Sequence, residues 1–131
     1  MLYGGPRGLT ARDQVWHQGK PGVPGSNEPR DGFGDALAAG DFDADGYADL
    51  VIGSPYEAVG GVEQAGWVVV LRGGPGGLTA SGAQSWRQGR GGVPSQPGFG
   101  DRFGANVAVG DVNGDSFDDV AIVAEAESDI P

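Results

Sequence analysis

The chain has 131 residues, of which 27 are Gly, 9 are Pro and none is Cys, and its formal net charge is −10. No stretch of helical length both lacks Gly and Pro and carries apolar residues at helical spacing, and no apolar run exceeds five residues, as at Trp67 to Leu71; a helical bundle and a membrane-inserted helix of roughly twenty apolar residues are both excluded. The 8 Lys and Arg are scattered among 18 acids, so no basic patch exists for nucleic acid or an anionic membrane, and metal cations are the natural counterpart.

The N-terminal MLYGGPRGLT has no charged segment leading into an apolar one, so no signal peptide is read in this chain. Leu2-Tyr3 reads as the tail of a strand, followed by a GGPRGLT turn and a segment carrying Trp16 and the single His, His17. Phe33 to Ala39 is predicted as a strand of small residues. A nine-residue acidic loop, Asp41 to Asp49, leads to a second strand, Leu50 to Gly53. The apolar run Trp67 to Leu71 is a third strand buried on both faces, and after a GGPGGLT turn a fourth lies around Gln84 to Gln88 with Trp86. A second acidic loop, Asp111 to Asp119, and a last strand reaching Ala124 follow.

The chain aligns with itself. Leu2–Thr10 matches Leu71–Thr79 at 7 of 9 positions with an offset of 69, and Gln14–Ile52 matches Gln84–Ile122 at 16 of 39 with an offset of 70. This is a tandem repeat of about 70 residues, unit one about 2–70 and unit two about 71–131, within a single segment 1–131. Four antiparallel strands per unit is the content of one β-propeller blade, so the expected fold is all-β. Unit two is incomplete, with no third strand. The phase of the repeat predicts one intact blade flanked by two partial ones, and a ring completed by homo-oligomerisation: a trimer of six blades or a tetramer of eight.

Asp41, Asp43, Asp45 and Asp49 occupy positions 1, 3, 5 and 9 of the first loop, and Asp111, Asn113, Asp115 and Asp119 those of the second. Side-chain oxygens at alternating positions can converge on one hard cation, with the backbone carbonyl of Tyr47 or Phe117 at position 7 adding a vertex. Two carboxylates about 4 Å apart repel by roughly 4 kcal/mol at an effective dielectric of 20, so four in one loop call for a cation. Ca²⁺ suits this flexible oxygen set better than Mg²⁺, giving two structural ions per chain. The second loop departs at two points: Asn113 lowers its charge, and Ser116 replaces Gly at position 6, which predicts an altered turn with Gly114 as the flexible point.

FGDALAAGDFDADGYADLVIGSP (Phe33 to Pro55) resembles the FG-GAP repeat, the blade motif of integrin α-subunit propellers and of many bacterial secreted proteins. Phe33-Gly34 matches the FG and Gly53-Ser54-Pro55 the GAP element, with Ser for Ala; unit two keeps Phe103-Gly104 and the loop but has Val123-Ala124-Glu125 in place of GAP. The resemblance implies a calcium-stabilised, extracellular or cell-surface propeller acting as a scaffold for protein interaction or adhesion. No catalytic set recurs: His17 aligns with Arg87 and is expected on a strand surface, so the chain is not read as an enzyme. Trp16 and Trp86 are expected to pack between blades. Stacking of those rings on a sugar face defines the alternative, a propeller lectin with glycan sites between blades, and a third reading is the propeller fragment of a larger hydrolase or adhesin.

Overall fold

The computed structural model describes residues 1–126; the end of the second repeat, 127–131, lies outside the described residues. Eight strands are formed: β1 (Leu2–Gly5), β2 (Gly8–Asp13), β3 (Ala36–Gly40), β4 (Asp49–Ser54), β5 (Trp67–Arg72), β6 (Thr79–Trp86), β7 (Asn106–Gly110) and β8 (Asp119–Val123). No helix occurs among the described residues, and none is therefore long and apolar enough to cross a membrane. The strands make three antiparallel sheets: β3-β4-β5-β6, a complete four-stranded blade, between the two-stranded β1-β2 and β7-β8. By position in the repeat, β1-β2 are the last two strands of a blade and β7-β8 the first two. The ring is not closed within this chain.

The central blade is held by β5, whose continuous apolar run supplies both faces. Val69 and Leu71 join Ile52, Val23 and Leu78 on one side, with Trp16, Phe33 and Trp67 packed against them. Val68 and Val70 join Val51 and Phe103 on the other, with Phe42, Trp86, Val107, Val109, Val120 and Ile122. Val51, Val68, Val69 and Leu71 are fully buried, and each such side chain contributes about 1.5–3 kcal/mol relative to exposure. The register Leu50↔Leu71 to Ser54↔Trp67 runs without slip between β4 and β5.

The GGPRGLT turn narrows to Pro6-Arg7 between β1 and β2, and of the strands predicted with bounds two differ by more than one residue. The first strand starts at Ala36 rather than Phe33, because Gly32 to Asp35 is a turn closed by the Asp35 N–H on the Gly32 carbonyl at 2.9 Å. The fourth runs Thr79–Trp86 rather than Gln84–Gln88: a register shift between Val70 and Arg72 lets it start directly after the GGPGGLT turn. His17 is exposed, as expected, but lies beyond the end of β2.

Neighbouring blades touch backbone to backbone. A Cβ on Gly53 would stand 2.1 Å from the Gly104 carbonyl oxygen, and one on Gly40 would stand 2.3 Å from Val109 Cγ1. The Phe103 N–H donates to the Ala65 carbonyl at 2.9 Å, which seats the second FG pair against the central blade. On the other side Tyr3 and Gln14 reach the Leu78 backbone, tying β1-β2 to the β5–β6 turn.

Candidate metal centre

The loop Asp41–Asp49 joins β3 to β4, the pair of strands that starts the central blade. Asp41 caps the loop from its first position. Its Oδ1 accepts the Asp45 N–H at 3.1 Å and its Oδ2 the Gly46 N–H at 2.8 Å, so the carboxylate closes the turn before any ion is considered. Partial burial pushes the Asp41 carboxyl up, but the N–H groups of Gly46 and Asp45 outweigh it and hold its pKa below the ordinary value. Asp49 is anchored from both sides. Its Oδ2 accepts the Phe42 N–H at 3.2 Å and its Oδ1 the Gly73 N–H at 2.8 Å, and the residue is 1% exposed.

One carboxylate oxygen each from Asp41, Asp43 and Asp49 lie within 4.8 Å of one another. That spacing and the all-oxygen donor set fit a hard divalent cation. Asp45 stands outside this group, its Oδ1 taken by the Tyr47 N–H at 2.9 Å, and Tyr47 is exposed at the loop's end. Arg72, at the end of β5, pairs with Asp43 Oδ2, so one fixed cation already sits at the rim of the cluster.

The second loop repeats the turn-closing bonds of the first and adds two of its own, from the Gly114 N–H to Asp111 Oδ1 at 2.8 Å and from Asn113 Nδ2 to Asp115 Oδ2 at 3.2 Å. Asp111 accepts from Asp115 at 3.1 Å and from Ser116 at 2.9 Å; Asp115 accepts from Phe117 at 3.0 Å and Asp119 from Val112 at 3.0 Å. Asn113 Oδ1 takes the role of the Asp43 oxygen, accepting the Asp115 N–H at 3.3 Å. The expected alteration at Ser116 does not occur. Ser116 adopts φ 73°, alongside φ 89° at Gly46, and position 4 is left-handed in both loops, at Ala44 as well as Gly114. Ser116 therefore carries strain that glycine would not.

Several polar positions escaped the sequence reading. Gln18, Asp31 and Glu57 form a buried trio in which Gln18 Nε2 donates to Glu57 Oε2 at 2.7 Å and Asp31 Oδ2 accepts the Glu28 N–H at 3.1 Å. Burial pushes the Glu57 carboxyl up to about 7 and also raises Asp31, with Glu28 and Glu63 adding like charge. The signal was present: Gln88, Asp101 and Glu127 stand at the same repeat positions. Asp118 is the other omission. Its counterpart is Ala48, so self-alignment could not single it out.

A model of the FG-GAP repeat matches residues 33–71 and 103–129. Integrin alpha-4 of Xenopus laevis is 33% identical over 99 residues, covering 75% of this chain and 9% of that protein's length. Both matched segments carry an FG pair, a strand of small residues, an acidic loop and a following strand, in the order in which the structure presents them. The chain belongs to the FG-GAP repeat family.

Proposed function

We propose that this chain is a cation-stabilised segment of a β-propeller scaffold, used for protein interaction or adhesion at an extracellular or cell surface, without catalytic activity of its own. The convergence of Asp41, Asp43 and Asp49 carries the reading. Asp41 directly follows β3 and Asp49 begins β4, so a shared ligand at these residues ties the first strand of a blade to the second. Bound Ca²⁺ supplies positive charge that offsets carboxylate repulsion. At about ten times its dissociation constant, linkage adds roughly 1.4 kcal/mol per site. Protein is favoured over glycan as ligand because Lys20 Nζ lies 4.2 Å from the Trp16 ring centroid and Trp86 packs into an apolar cluster, so these rings are already engaged.

The test is thermal unfolding in EDTA and in millimolar Ca²⁺. Calcium is expected to raise the melting temperature, and an Asp41→Ala, Asp111→Ala double variant to lose the rise; equal melting in both media sinks the reading. A specific observation supports assembly with further copies: among the described residues β8 and β1 each have one edge without a partner, and by repeat position these edges are the ones that pair, as β4 with β5, in the intact blade. Light scattering at micromolar concentration is expected to give a trimer or tetramer, and a folded monomer refutes it.

A further inference from the structure

The first ligand position of loop one is clasped by the neighbouring half-blade. The Asp41 N–H donates to Asp118 Oδ2 at 2.8 Å, and the Asp118 N–H returns to the Asp41 carbonyl at 3.0 Å. Asp118 is position 8 of loop two. The residue before Asp41 is Gly40, whose Cβ position is filled by Val109 of β7 and by Asp118. Backbone and side chain thus fix Asp41 against β7-β8 from two directions.

We propose that Asp118 is a positioning residue that couples cation occupancy of loop one to the docking of β7-β8 on the central blade. The proposal rests on the calcium reading above. Asp118 is not among the converging oxygens, so it acts through Asp41. Its carboxylate orients the Asp41 backbone by a charge-assisted hydrogen bond and adds negative potential beside the cluster. That charge stands at the Asp41 backbone, so a cation held by loop one favours the charge and the clasp together. Whatever tightens one must tighten the other, since coupling between two equilibria is reciprocal. The clasp is one-sided, for Ala48 offers no carboxylate at the corresponding place in loop one.

The experiment uses the full chain carrying Asp111→Ala to silence loop two, with and without Asp118→Ala or Asp118→Asn. Calcium affinity is measured by calorimetric titration, and amide exchange is followed at Val107, Ala108 and Val109. In the parent, calcium is expected to slow exchange on β7. Asp118→Ala is expected to weaken calcium binding about five- to tenfold and to abolish the slowing. Asp118→Asn, which keeps an acceptor oxygen, is expected to retain the slowing while losing part of the affinity. Unchanged affinity, or equal slowing in Asp118→Ala, overturns the coupling. Absence of binding in the parent overturns the calcium reading itself, and does so before any Asp118 variant is compared.

Discussion

The same nine-residue loop occurs twice in this molecule, once inside a finished blade and once in half of one. The five hydrogen bonds that close the turn recur in both places, so the local sequence writes the loop conformation. What differs is the surroundings. Asp49 is buried under the Gly73 N–H just past the end of β5, whereas Asp119 is half-buried with no third strand beside it among the described residues. Arg72 likewise reaches Asp43 from β5, and loop two has no such partner among the described residues. Local sequence sets the shape of the acidic loop; the neighbouring strand sets its burial and charge balance.

Three changes would break or sharpen that contrast. Asp49→Ala leaves the Phe42 and Gly73 amides without an acceptor and is expected to cost about 3 kcal/mol, where Asp119→Ala costs about 1 kcal/mol. Urea unfolding of the two variants checks this; equal losses would mean the third strand adds nothing.

The second change uses the buried trio of the finished blade. Glu57, raised to about 7, keeps its proton in the folded chain at pH values where the unfolded chain, near 4.5, has released it. Its folded state is therefore favoured at low pH and loses stability as pH rises from 4.5 through 7, by on the order of 2 kcal/mol. Glu57→Gln is expected to flatten this dependence, read as melting temperature between pH 5 and 8.

Ser116→Gly is the smallest, a gain of about 1 kcal/mol from releasing a left-handed serine, measured by the same urea midpoint. Ala44→Gly should gain similarly if the two turns are equivalent.

The repeat, the blade and the two loops were legible because their signals are identities at a fixed offset: Phe33 with Phe103, Asp41 with Asp111, Asp49 with Asp119. Gln18 and Asp31 are identities too, yet side chains that meet only after β4 turns back cannot be joined by spacing. Asp118 was beyond that method altogether, since a residue that clasps the next blade answers to a contact between units and not to its counterpart within one. The strand bounds failed where the backbone alone decides, at the Gly32–Asp35 turn and the shift between Val70 and Arg72.

The contact of Gly53 with Gly104 has a consequence at the scale of an assembly. A head-to-tail interface repeats whatever angle it contains, closing if successive rotations complete a circle and running on as a filament if they do not. Between the central blade and β7-β8 that angle is set where two main chains abut. A methyl group at Gly53 would wedge these two sheets apart, and were copies of the chain to assemble head to tail, that one atom would change the number that closes a ring.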